Sequence, residues 1–294
     1  LYEGPVTGAG ERTTGRLGTG WQLTKTSLRI LRQDKELLLF PLLSGVFLLL
    51  ILAGFLGGVF LAMGTEALFQ GTAAWLIVAL LFVYYVVAFF VTLFFNAAVI
   101  GAAMIRLNGG NPTLRDGLRI ARENAGRIFL WALFAATIAM ILRAIQERVG
   151  IIGKILVGLV GIAWTLATYF VVPVLIYEKL GPWSAVKRSA SLFKSTWGET
   201  FAGGFTMGGI FLLAGLAGLL PILVGALLGG LLGLLVGLLV AVVYWIILGI
   251  MASAASSVLV AALYRYATTG KVAEDFQGLP MFGMPPRQTY GQAP

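Results

Sequence analysis

The sequence predicts an all-α, polytopic integral membrane protein. Six transmembrane helices form three hairpins, each preceded by a cytoplasmic amphipathic helix at the membrane interface. Three observations predict it. Hydrophobic residues make up 59% of the 294-residue chain and charged residues only 11%, against about 25% charged in an average soluble domain. The apolar residues gather into stretches of the ~20 residues that a helix needs to cross the hydrocarbon core. The 21 lysines and arginines, which leave a net charge of +9, fall almost entirely into alternate connections.

The elements follow in order. Residues 1–20, "LYEGPVTGAGERTTGRLGTG", are rich in Gly and Thr and contain no apolar core. They read as a flexible tail rather than a signal peptide. "WQLTKTSLRILRQDKELLLF" then sets Trp21, Leu28 and Leu31 against Lys25, Arg29 and Arg32, a weak amphipathic pattern with Ile30 off the stripe. The first span is expected over 37–63, with Pro41 tolerated in its first turn. The second, over 73–105, is longer than a bilayer requires, so it tilts or emerges beyond Asn96. "NPTLRDGLRIARENAGRIF" follows, with Thr113 as N-cap and Asp116 three residues on, the spacing of a capping box. Leu114, Leu118, Ala121, Ala125 and Ile128 share one face of that helix, and Arg115, Arg119 and Arg122 the opposite one. The third and fourth spans are expected over 125–142 and 151–177. No charge appears between Glu199 and Arg265, so this block must hold two spans, 201–225 and 232–263, with a turn near 226–231. The membrane domain thus covers 21–267, and 268–294 reads as a second flexible tail.

Orientation follows from the cations. The N-terminal segment, the second and fourth connections and the C-terminal tail together hold 18 of them. Only Arg143, Arg148 and Lys154 fall on the other side. The positive-inside rule then places both termini in the cytoplasm. The same asymmetry accounts for the net charge without a nucleic-acid partner, and no nucleic-acid-binding motif is present.

The fourth connection carries "GPWSAVKRSASLFKSTWG", Gly181–Gly198. Pro182 suits a first helical turn. Trp183, Val186, Ala190, Phe193 and Trp197 recur at helical spacing, with Lys187 and Lys194 flanking the stripe and Arg188 pointing away. Such a helix lies in the headgroup plane, indoles at the interface and cations toward anionic lipid. Trp21, Arg115, Arg119, Arg122, Trp183, Lys187, Arg188, Phe193, Lys194 and Trp197 are therefore the expected lipid-interface residues. Arg122/Lys194, Gly126/Gly198 and Phe129/Phe201 fall in register between the second and third amphipathic segments, the mark of an internal repeat.

"AVKRSASLFKSTWGETF" resembles a segment of a group of poorly characterised prokaryotic six-span proteins, several of them families of unknown function. The group includes the membrane domain attached to some glycerophosphodiester phosphodiesterases. "ILRQDKELLLFPLLSG" is similar to the N-terminal segment of one such unknown-function family. The resemblance implies a fold and a bacterial or archaeal plasma membrane. It implies no catalytic residues, because the attached phosphodiesterase domain uses His and acidic residues with no counterpart here.

The chain contains no histidine and no cysteine. That removes Ser-His-Asp and Cys-His catalysis, His-based zinc or haem ligation, iron–sulfur clusters and disulfides, and no cofactor or metal is expected. The 12 acids avoid the spans, which disfavours a carboxylate proton relay. Asn96, Thr168 and Tyr169 are the polar groups expected to line a cavity if one exists. Gly225, Gly229, Gly233 and Gly237 form a small-residue ladder for close helix packing. These features predict a non-enzymatic scaffold or accessory subunit, or a membrane-organising protein. Its partners would be anionic lipids on the cytoplasmic face and other membrane subunits. A channel or transporter for a small neutral or lipidic solute is the alternative. An intramembrane enzyme built on acids such as Glu66 and Glu147 with Tyr and Ser is the third reading.

Overall fold

The computed structural model describes residues 16–70 and 74–277. Every regular element among them is helical: α1 Arg16–Gln33, α2 Glu36–Gln70, α3 Ala74–Leu107, α4 Leu114–Glu123, α5 Ala125–Arg148 and α6 Ile151–Ala167. A short bent element, α7 Val171–Glu178, ends in a π turn. α8 Pro182–Ser195, α9 Trp197–Ala217, α10 Leu220–Thr269 and a 3₁₀ turn, Glu274–Phe276, complete the chain. Four stretches are long and apolar enough to cross a membrane: Glu36–Leu61, Val78–Leu107, Ala125–Arg148 and Thr206–Thr269. The bent pair α6 and α7 makes a fifth if it is counted as one span.

The last of these stretches is not a straight rod. Gly230 interrupts α10 with φ 56° and ψ −139°, angles that L side chains rarely adopt. A Cβ on Gly225 would strike the backbone of Gly233, and one on Gly237 the backbone of Pro221. Along an unbroken helix residues 221 and 237 would lie about 24 Å apart. The chain therefore doubles back at Gly230, within the expected turn of 226–231. Further from the turn, Tyr244 Oη donates to the Ala214 carbonyl (2.7 Å) and Trp245 Nε1 to that of Gly215 (2.9 Å). Pro221 explains the break between α9 and α10, because it lacks an N–H and its ring crowds the carbonyl four residues back, that of Ala217.

The same rule corrects the fourth span. Residues 151–177 do not form one helix; α6 and α7 meet at 41°. Pro173 crowds the Tyr169 carbonyl, and the helix opens over Thr168–Phe170. This frees the Phe170 N–H, which donates to Ser189 Oγ of α8 at 2.9 Å. Both partners are fully buried, so the hydroxyl meets a requirement that the broken helix cannot meet itself.

The internal repeat has a structural counterpart. α4 and α5 are separated by the single residue Asn124 (φ −108°, ψ 8°), and α8 and α9 by Thr196 (φ −119°, ψ 22°). Asn124 Nδ2 donates to the carbonyl of Ile120, and Thr196 Oγ1 to that of Leu192, both at 2.9 Å and both four residues back. In each case a buried polar side chain bridges the bend between an amphipathic helix and the apolar helix that follows.

The boundaries of the expected tails also move. α1 begins at Arg16, inside the segment read as an N-terminal tail, and residues 1–15 and 278–294 lie outside the described residues. Residues 268–277 are not a loose tail. Phe276 is fully buried and Ala273 nearly so, in the turn that packs on α1.

Candidate functional site

The three amphipathic helices sit at one end of the bundle, held there by polar links. At the α1–α2 junction Asp34 is almost completely buried, and Arg106 Nε of α3 lies 3.0 Å from its Oδ2. That contact is one of charge without an aligned hydrogen bond. Arg106 also donates to Gln33 Oε1 at 2.8 Å. The Glu36 carboxylate accepts from the backbone N–H of Leu114, the first residue of α4. Arg265 of α10 donates to the Leu107 carbonyl at the end of α3. Arg188 of α8 reaches both carboxylate oxygens of Glu178 (3.0 and 2.9 Å), and Tyr264 of α10 donates to the same group at 3.2 Å. Arg127 of α5 donates to the Lys179 carbonyl at 3.1 Å. These contacts join the start of α2 to the ends of α3, α7 and α10.

Each amphipathic helix docks through small or hydroxylated residues. Gly117 brings α4 against its neighbours: a Cβ there would lie 2.7 Å from the Ala98 carbonyl of α3 and strike the Phe40 ring of α2. Thr113 and Asp116 form the expected reciprocal capping box. The Thr113 side-chain hydrogen bond, with its backbone N–H and with Arg119 and Arg115 nearby, holds the Asp116 carboxyl below its ordinary pKa of 3.8. On α1 the buried residues among those described are Leu23, Thr24, Thr26, Ser27, Ile30 and Leu31. Ile30, read as off the stripe, is at its centre. On α8 they are Ala185, Val186, Ser189, Leu192 and Phe193.

The expected interface residues therefore divide. Phe193 does not face lipid: it is buried, with its ring edge-on to Tyr169 at 6.1 Å. Arg188 does not point away, because Glu178 holds it. Trp21 and Trp183 are exposed, with Lys25 and Lys187 Nζ each 5.5 Å from the ring centroid of its tryptophan. Arg115, Arg119, Arg122 and Lys194 are exposed, and Arg119 pairs with Asp116 at 2.9 Å. The side chain of Trp197 lies outside the described residues.

Three of the ladder glycines, Gly225, Gly233 and Gly237, pack the two arms of α10 together, while Gly229 belongs to the turn. The three residues expected around one cavity do not meet. Asn96 lines a groove between α2, α3 and α10. Thr168 bonds back to the Trp164 carbonyl of its own segment (2.8 Å), and the Tyr169 ring packs against Phe170 and Phe193. Glu147 pairs with Arg143 at 3.1 Å, and the side chain of Glu66 lies outside the described residues. No cluster of three or more acids that could hold a metal ion occurs among the described residues.

The family model of DUF6159, a family of unknown function, matches residues 74–274. The chain belongs to this family. The DUF6159 match runs from the start of α3 to the first residue of the terminal 3₁₀ turn, so it takes in α4, α8 and the α10 reversal but not α1 or α2. It covers the "AVKRSASLFKSTWGETF" segment; "ILRQDKELLLFPLLSG" precedes it. Nothing in the comparisons supports the relation to phosphodiesterase membrane domains. No curated protein and no solved structure matches the chain.

Proposed function

We propose that this DUF6159 protein is a non-enzymatic organiser of the membrane surface, a scaffold or accessory subunit that gathers anionic lipid and neighbouring proteins around a rigid basic platform. It crosses a bacterial or archaeal plasma membrane six times. The crossings are α2, α3, α5, the bent α6–α7 pair, α9 with the first arm of α10, and the second arm of α10. This count closes three hairpins, each preceded by α1, α4 or α8, and the cation asymmetry places those helices and both termini in the cytoplasm.

A division of labour among the cations carries the reading. Arg106, Arg127, Arg188 and Arg265 bind inward and clamp the helices. Lys25, Arg29, Arg32, Arg115, Arg122 and Lys194 are exposed on α1, α4 and α8, with no ion-pair partner among the described residues. Each such cation near an anionic leaflet contributes roughly 1 kcal/mol of attraction, and helices fixed relative to one another present them as one surface. The test is lipid enrichment around the purified protein in nanodiscs of mixed phosphatidylcholine and phosphatidylglycerol. Replacing these six cations with glutamine should abolish phosphatidylglycerol enrichment while the thermal midpoint stays put. Unchanged enrichment would reject the lipid role, and purification in mild detergent without any stoichiometric partner would reject the subunit role.

Handling of a lipidic solute is the second reading, favoured by the groove beside Asn96, whose rim is apolar and exposed.

A further inference from the structure

The groove between α2, α3 and α10 has a volume of about 790 Å³ and no charged residue in its lining. On α3 it runs from Tyr84 to Val99, roughly 22 Å at 1.5 Å per residue, which exceeds the ~15 Å depth of one leaflet's hydrocarbon. Its rim is apolar and exposed at Leu42, Val46, Leu49 and Ile246. Gly45 and Gly249 stand in its walls, and a Cβ added at either would meet nothing within 4 Å. Glycine costs about 1 kcal/mol against alanine in a helix, and no close helix contact at these two positions offsets it. Neither position carries a side chain into the groove.

The floor of the groove is polar where hydrocarbon would otherwise lie. Asn96 Nδ2 donates to Ser257 Oγ at 3.2 Å, and Ser257 sends its own proton to the Ser253 carbonyl at 2.9 Å. The direction of that relay fixes the amide: its nitrogen faces Ser257, and its carbonyl oxygen is left with no donor among the described residues. The hydroxyls of Ser44 and Ser253 line the same groove and make no hydrogen bond among the described residues. An acceptor without a donor is costly in an apolar medium. A lipid ester offers no proton to it, and an ionised headgroup would find no counter-charge here.

We propose that this groove holds the chain of a neutral lipid whose free hydroxyl donates to the carbonyl oxygen of Asn96. The occupant is a long-chain amphiphile of the diacylglycerol or long-chain alcohol class. The site stands on different residues from the basic platform, so either can fail without the other.

The full chain is reconstituted in nanodiscs with a diacylglycerol or a phosphatidylcholine carrying the same diazirine-bearing acyl chain. It is then moved into detergent to strip loosely held lipid, irradiated, and mapped by mass spectrometry. The diacylglycerol probe should mark peptides of α2 and α3, and the phosphatidylcholine probe should not. Asn96→Leu should lower the adduct about fivefold, the value of one hydrogen bond. Gly249→Trp should abolish it by filling the groove, and Gly54→Trp, outside the groove with equally open space, should leave it unchanged. Equal adduct from both lipids, or a diacylglycerol adduct that survives Gly249→Trp or ignores Asn96→Leu, would overturn the proposal.

Discussion

The two ends of the bundle are built differently. At the platform end α1, α4 and α8 close over the ends of α2, α3, α7 and α10, and Leu23, Ile30, Leu37, Phe40, Phe170 and Phe276 are all fully buried. At the far end the helices part. No residue of α6 is buried, and Leu227, Leu228, Leu231 and Leu232 around the α10 turn are each at least 74% exposed. Lipid tails are as apolar as leucine, so the far end gains nothing from burying its own leucines. At the platform end, where the charged residues gather, burial of apolar side chains away from water drives closure, and the polar contacts fix its geometry. Specific stability is therefore concentrated at one end, and substitutions should separate the two.

The largest separation is expected at Asp34. Asp34→Ala leaves Arg106 partly buried without its counter-charge and should cost up to about 3 kcal/mol, the low end for breaking a buried pair, because Arg106 is partly exposed and keeps Gln33. Leu227→Ala at the far end should fall within about 0.5 kcal/mol. Thermal unfolding in detergent reads both, and equal losses would erase the distinction. Gly117→Ala comes next. The added carbon meets the Ala98 backbone and the Phe40 ring, so α4 must lift from α3 at a cost of roughly 1–3 kcal/mol. Gly54→Ala, with open space around it, should be neutral or slightly stabilising.

Ser189→Ala probes a single contact. It strands the buried Phe170 N–H and should cost about 1–3 kcal/mol. Hydrogen exchange at that amide should speed up before global unfolding does, whereas Ser189→Thr should retain protection. Exchange unchanged in the alanine variant would mean that α8 does not hold the bend.

Where hydropathy and chain breakers decide the outcome, the fold was legible. Several helices long and apolar enough to cross a membrane, a turn within 226–231 and the Thr113–Asp116 box were all readable in the sequence. The bend in the fourth span was missed, although Pro173 signalled it; apolar length outweighed the backbone rule. The packing faces of α1 and α8 were misjudged for one shared reason. Thr24, Ser27, Ser189 and Thr196 are buried, yet hydroxyl residues look polar in a hydropathy pattern, so the stripes shifted toward the exposed Trp21 and Trp183. The inward arginines could not be told from the outward ones, because Arg106 and Arg265 are assigned by partners distant in sequence and Arg188 by Glu178 across the turn between α7 and α8. For the groove, Asn96 was visible as a polar residue in a span, but its alignment with Ser257 and Ser44 depends on how three helices pack.

The smallest effect lies at the exposed edge of the platform and depends on pH. Asp116 has a folded pKa below its ordinary value of 3.8, chiefly through the Thr113 hydroxyl. A carboxyl depressed in this way binds its proton more readily in the unfolded chain. Its contribution is therefore fully present above the ordinary value and is lost as pH falls through the folded one. Hydrogen exchange at the first-turn amides of α4 should stay slow, after correction for intrinsic rates, until pH drops below about 4. The protection should then decline toward that of Asp116→Asn, which has no such charge to lose. The inward clamps differ in kind, since Arg106, Arg188 and Arg265 tie separate helices together, whereas the box lies within α4 and its own cap. If the first turn of α4 opened in acid together with α8, the box would be part of the clamp rather than its edge. Opening of α4 alone would place the boundary of the rigid platform at Thr113.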